Sequence, residues 1–401
     1  MKYKMNIIYR YAVCCLIFSG SLYGQKIAVV TSDTRKLNSN LQDAHRSAGG
    51  KGTLSPIGST IKIVALEGNS KPVTLRVGEA ASCEFFDKSK KILVASNSEN
   101  GRNIKVSGYV TVTGEKLFEF EILDMRKFVI LPNWNNGLRF NFSDLVGFEN
   151  SGKFALVGES RSDEILKKPR KHQGTWAKIV VFNSKEMLIE RNLEVPIFSA
   201  MLSKLDENKR GIVGVIGVDS MIAPIQLQLN EFSAGNELEL KQMVKSDLIA
   251  YATNFEDKLV FLKNGSQLLE VDSSAQKLTE YFSNFNKAKS RIPINDVAII
   301  PLPNERKFVK VVQGLGDEEH WQGRERKKLT FIELYQKGKS DSLKKISLNY
   351  SVVDIKLNKE GDKLIVLSQE KPQIQIYSTK DFTKVATIDH VLDNPTDLVA
   401  W

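Results

Sequence analysis

Cysteine is scarce in this chain. Its 401 residues hold three, and two of them, Cys14 and Cys15, fall within the first 24 residues. If those residues are removed, Cys83 stands alone and no internal disulfide can form. Secreted domains that depend on disulfides are small, whereas a chain of this length can bury a sufficient apolar core without them. No Cys–His signature surrounds Cys83, so it reads as a buried apolar side chain rather than a nucleophile. Histidine is equally sparse, with His45, His172, His320 and His390 as the full complement. Copper and haem centres draw on more, and the Cys-x-x-Cys-His attachment motif is missing. Also absent are Gly-x-Ser-x-Gly, the hydrolase nucleophile elbow, and the Asp-x-Asp-x-Asp-Gly calcium loop. There is no Ser-x-Asp-x-Gly-x-Thr-Trp box of the sialidase kind either. No cofactor is expected.

Long apolar runs are missing as well, except at the start. Lys2, Lys4 and Arg10 precede the apolar stretch Tyr11–Phe18, and small residues follow at Ser19, Gly20, Ser21 and Gly24. This order is that of a secretory signal peptide. The stretch is shorter than the roughly 20 residues a membrane-spanning helix needs. Cleavage is expected after Gly24, giving a signal peptide over 1–24 and a mature chain over 25–401 that is secreted or periplasmic. No transmembrane segment is expected after cleavage. Losing Lys2, Lys4 and Arg10 lowers the net charge from +10 to +7. The remaining positive residues are scattered through turns, a pattern suited to anionic surfaces or glycans but not to nucleic acid.

Long helical patterns are lacking too. Short strand signals take their place, recurring about every 50 residues. The clearest unit is 351–358, a Lys-Glu-Gly-Asp turn, then 363–368, 373–378 and 383–390. These are four short runs of β-branched and aromatic residues separated by Gly, Asp, Asn and Lys turns. The same grammar appears at 82–86, 91–96, 104–112 and 116–122, and at 144–148, 153–158, 177–182 and 187–193. It continues at 197–202, 211–217 and 225–230, with a vague fourth strand near Leu238, then at 247–282 and 296–348. The ends complement each other. Residues 26–32, 61–66 and 73–78 look like second, third and fourth strands without a first, and 395–401 looks like a first strand without a second. The expected fold is therefore all-β, a seven-bladed β-propeller closed by pairing of the N- and C-terminal strands in one blade.

Turns such as those within residues 354–379, together with the blade rhythm from Lys26 to Trp401, resemble those of bacterial seven-bladed propellers of the surface-layer or YVTN type, and distantly WD-repeat propellers. Neither the WD dipeptide nor the YVTN tetrapeptide is present. The resemblance implies a fold and a general binding role, not an activity.

In such a blade the loops joining second to third strands share one rim with the loops joining successive blades. Here 33–60, 159–176 and 314–327 are long, and the insert 125–141 maps to the same rim. Long loops on a rigid scaffold are where binding residues concentrate. Trp134, Trp176 and Trp321 lie in or beside these segments, whereas Trp401 belongs to a core strand. Lys167, Lys168, Arg170 and His172 form a basic cluster, and His320, Arg324 and Arg326 follow the acidic run Asp317–Glu319. Trp beside Arg and Lys supplies contact area and planar or point donors, which suits interfaces and sugars. Asp317, Glu319 and His320 could chelate an ion, but adjacent acids on a loop are ordinarily exposed, and no metal site is expected. Two functions follow. One is a non-catalytic, monomeric propeller binding a protein or glycan through the rim. The other is a lactonase-like hydrolase or lyase acting on a sugar or lactone at the central channel, with His172, Glu319, His320 and Arg324 as its acid–base groups.

Overall fold

The computed structural model describes residues 25–35, 55–66, 70–127, 144–148, 152–168, 176–195, 199–206, 211–218, 221–228, 239–242, 249–255, 258–263, 267–272, 277–283, 294–302, 307–315, 328–336, 339, 341–350, 352–368, 373–389, 391–392 and 395–401. These residues are almost entirely β-strand, with one helical turn at Asp163–Leu166. The strands form separate antiparallel sheets, most of them four-stranded. In the sheet of Ser82–Phe86, Lys91–Asn97, Ile104–Val110 and Lys116–Ile122, each strand pairs with the next in sequence. The sheet from Val352–Leu357 to Lys384–Ile388 is built the same way.

One sheet departs from that order. Pro395–Ala400 pairs antiparallel with Lys26–Arg35, which pairs with Ser55–Ala65, which pairs with Val73–Val77. Ile27 lies opposite Ala400 and Val29 opposite Leu398, and the Trp401 N–H donates to the Lys26 carbonyl at 2.9 Å. The hairpin between the second and third strands is also longer than the apolar pattern implies. Its ladder runs out to Arg35 opposite Ser55, past the apolar run that ends at Val30. Ser and Thr continue it because pairing needs only backbone donors and acceptors.

Burial explains the sequence of the second strands. In Lys26–Arg35, Ala28 and Val30 pack with Ile92, Val94, Cys83 and Phe85 of the next sheet. Ile27 and Val29 face the other way, against Ile365, Leu367, Ile374 and Ile376. Successive side chains on a strand point to opposite faces, so a strand covered on both faces must be apolar at every position. Lys91–Asn97 repeats the device: Ile92 and Val94 face one neighbour, while Leu93 and Ala95 face Phe154, Leu156 and Phe182 of the other. Outer strands show the opposite. In Lys384–Ile388 no residue is buried, and Val385 is exposed.

The first strands of successive sheets neighbour one another. Val352–Leu357 adjoins Pro395–Ala400, which adjoins Ser82–Phe86, which adjoins Leu145–Phe148; the series continues through Ser199–Asp206, Ile249–Phe255 and Ile294–Pro301. Turns close the hairpins by side-chain chemistry. At the Lys-Glu-Gly-Asp turn, Asn358 Oδ1 accepts the Lys363 N–H at 2.8 Å, and Gly361 takes φ +74°, which a residue without Cβ adopts freely. The insert that maps to the rim from 125 begins as a strand. Met125–Arg126 pairs with Glu159–Ser160 and extends that sheet.

Candidate functional site

Three of the rim residues singled out from sequence are described: Lys167, Lys168 and Trp176. Trp134, Arg170, His172, His320, Trp321, Arg324 and Arg326 lie outside the described residues, as does Glu319. Lys168 and Trp176, eight residues apart, come together. The Lys168 Nζ sits 3.6 Å from the Trp176 ring centroid, well within cation–π range. Lys167 is exposed beside them.

The loop that brings them together is tied down at its start. Ile165, in the single helical turn, is buried at 2% exposure. The Arg161 N–H donates to the Asp124 carbonyl at 2.9 Å, and the Ser160 N–H to the Trp176 carbonyl at 2.9 Å. Arg102, from the second-to-third-strand loop of the preceding sheet, reaches across to Asp163 at 2.6 Å and Asp124 at 3.1 Å. Each ion pair is exposed and individually weak, but together they join the loops of two sheets into one surface. Arg102 carried no motif and went unread from sequence, since its role exists only where two loops meet.

A cleft of about 540 Å³ opens between Val73–Val77 and the face of the sheet over 91–119. Val73–Val77 is five residues long, whereas the strands it faces have seven, and the lining beside its end is polar, with Ser96, Asn97 and Ser107 among it. Gly78 sets the closest approach. A Cβ there would collide with the Asn97 carbonyl oxygen and come within 2.9 Å of Ser96 Oγ. The bare backbone lets the Asn97 N–H reach the Glu79 carbonyl at 2.8 Å. Within the cleft, Glu119 is held by Lys116 at 2.7 Å, Lys105 at 3.5 Å and the Ser107 hydroxyl at 3.1 Å. The hydrogen bond from Lys116 leads in holding its carboxyl below the ordinary range, so it stays ionised.

The innermost strands carry a second set of polar groups, all enclosed. Lys127, 1% exposed, pairs with Asp144 at 2.8 Å and also contacts the Ser82 hydroxyl; its backbone N–H donates to Asn97 Oδ1 at 2.7 Å. Asp354 accepts from the Ile355 N–H at 2.8 Å and the Leu398 N–H at 3.2 Å, with Lys356 at 3.3 Å. Burial, with Asp397 nearby, pushes its carboxyl up to about 8. Cys83 is fully buried, and burial pushes its thiol well up, which keeps it neutral. These groups are paired within the protein, and Asp354 (2% exposed at its side chain) has no open face for a substrate. Among the described residues no group of His, Cys, Asp and Glu is arranged to hold a metal, and no helix is long and apolar enough to cross a membrane.

No family model and no curated protein matches the sequence. Solved structures are similar in fold. An acylaminoacyl peptidase from Pyrococcus horikoshii is similar at TM-score 0.52 and 12% identity over 90% of this chain, which spans only 50% of the peptidase's length. A functionally unknown protein from Desulfotomaculum acetoxidans is similar at TM-score 0.54 and 7% identity, over 94% of this chain and 98% of that one. The Swd1 β-propeller domain of Myceliophteria thermophila reaches TM-score 0.46 and 10% identity over 79% of this chain and 88% of its own. At such identities a likeness speaks to fold and not to activity; with its succession of four-stranded antiparallel sheets, the chain has the fold of a β-propeller.

Proposed function

We propose that this chain is an exported, non-catalytic β-propeller that binds a protein or glycan partner through its rim loops. Seven blades form the ring, closed in the sheet that joins Pro395–Ala400 to Lys26–Arg35; the neighbouring order of the inner strands supports this. Among propellers, its blade rhythm is that of the bacterial surface-layer or YVTN type, and the protein acts as a monomer.

The anchored rim carries the binding reading. Lys168 lies over Trp176 on a loop fastened by Arg102, Asp163 and buried Ile165. A fixed aromatic with an adjacent cation is the composition of an interface anchor. One face of the Trp176 indole is already covered by Lys168, which favours a protein surface over a sugar stacked on that face. The enclosed polar groups of the inner strands, satisfied internally, favour binding over turnover.

Capture from envelope extracts tests the reading. The wild-type protein should retain a specific partner, and Trp176→Ala should weaken retention about tenfold, the loss of one interface anchor. Turnover of a sugar or lactone library with no captured partner would sink it. Export has its own readout: expressed with residues 1–24, the protein should be recovered outside the cytoplasm with Gln25 as its first residue. A cytoplasmic product that keeps Met1 would refute cleavage after Gly24.

A further inference from the structure

We propose that the cleft between Val73–Val77 and the sheet over 91–119 is a binding site for a short neutral oligosaccharide. The inference does not depend on the rim partner, because no residue of 159–176 lines the cleft.

Charge balance narrows the ligand. Arg76, Lys105 and Lys116 line the cleft together with Glu79, Glu99 and Glu119, three cations against three carboxylates. A site for phosphate or another anion would concentrate cations, and a site for a metal or an amine would concentrate acids. Apolar ligands find little purchase, since Val77 and Val94 are the aliphatic side chains in the lining. What remains is a mixture of fixed carboxylate, cation, amide and hydroxyl groups. A polyol, which both donates and accepts at each carbon, matches that mixture. The volume of about 540 Å³ falls within the ~300–1,000 Å³ of small-molecule sites.

The site is also built in advance. Glu119 already has three donors, so its carboxylate is oriented before any ligand arrives. The wall at 98–103 is a rigid turn in which Asn100 Oδ1 accepts from the Ser98 hydroxyl at 2.6 Å and from the backbone N–H groups of Arg102 at 2.8 Å and Asn103 at 3.2 Å. Groups that need no ordering cost less to bind. Tyr109 is 8% exposed, packs in the core between two sheets and lines the cleft. Its hydroxyl has no hydrogen-bond partner among the described residues. A phenol hydroxyl both donates and accepts, so a ligand oxygen in the cleft can bond to it. Arg76 is exposed, with no ion-pair partner among the described residues, and stands at the mouth.

The test titrates the full mature chain with maltotriose, cellotriose and chitotriose, read by saturation-transfer NMR and calorimetry. At least one should bind, with a dissociation constant of about 1 mM or tighter. Glu119→Gln and Tyr109→Phe should each weaken it about tenfold, and Arg76→Ala should weaken it measurably, while Trp176→Ala should leave it unchanged. Arg76 is exposed, so its variant remains informative if Tyr109→Phe fails to fold. No binding by any of the three sugars overturns the site. So does binding that survives Glu119→Gln and Arg76→Ala but is lost in Trp176→Ala, a result that would move the sugar to the rim.

Discussion

A chain ending at residue 394 is expected to aggregate, or to unfold far below the full-length protein. The seven missing residues are few, but they supply an inner strand. Pro395–Ala400 satisfies the ladder edge of Lys26–Arg35, and without it a row of backbone donors and acceptors beside the apolar run Ile27–Val30 lies open. Such an edge recruits other chains. Leu398 is fully buried against Ile365 and Leu367, while Val399 and Trp401 pack on the opposite face of the same sheet. Burying a side chain of this size contributes about 1.5–3 kcal/mol, and a whole domain is stable by only about 5–15 kcal/mol. Two or three such losses consume much of that margin before the ladder is counted. Thermal denaturation and size-exclusion chromatography of the truncated chain check this. An unchanged, monomeric melt would mean that the C-terminal strand is ornamental and would remove the main support for ring closure.

Asp354→Asn is expected to flatten the pH dependence of stability and to raise stability at mildly alkaline pH. The carboxyl is enclosed between the first strand of one sheet and Pro395–Ala400, facing Lys356, Asp397 and the N–H groups of Ile355 and Leu398. Burial dominates and lifts it to about 8, although Lys356 pulls the other way. The unfolded chain releases this proton near pH 4. Below about pH 4 both states hold the proton and Asp354 makes no difference. From there to about pH 8 only the unfolded state is ionised, so stability falls as pH rises. Above about pH 8 both are ionised and the loss levels off. Across that window the loss is on the order of 5 kcal/mol. Asparagine removes the titration while keeping an acceptor for Ile355 and offering a donor toward Asp397; the Leu398 N–H keeps donating to Asp397 Oδ1 at 2.9 Å. Denaturant midpoints at about pH 5 and about pH 8.5 decide it. The wild type should drop between them and the variant should hold nearly level. Parallel slopes would show that Asp354 ionises normally.

Much of the architecture was legible in the linear chain because its causes are local. A strand covered on both faces needs apolar residues without alternation, and Lys363–Ser368 or Lys91–Asn97 shows that pattern with no knowledge of what covers it. Turn chemistry such as Asn358 with Gly361 is local as well. Even the kinship of the two termini could be read, because a strand missing at one end matched a strand in excess at the other. Lys168 and Trp176 were marked for their composition, and the structure brings them into contact.

What the sequence could not determine is what depends on two distant segments meeting. The cleft exists because Val73–Val77 is shorter than the strands it faces and because Gly78 touches the backbone at Asn97. No motif encodes a difference in length between neighbours. Asp354 sits in a short apolar run, but its raised carboxyl follows from burial between stacked sheets and, after that, from Asp397, more than 40 positions away. Lys127 reads as one more surface lysine, yet Asp144, Ser82 and Asn97 enclose it. Electrostatic environment and concavity are sums over groups close in space, and chain order leaves them unspecified until the sheets have stacked.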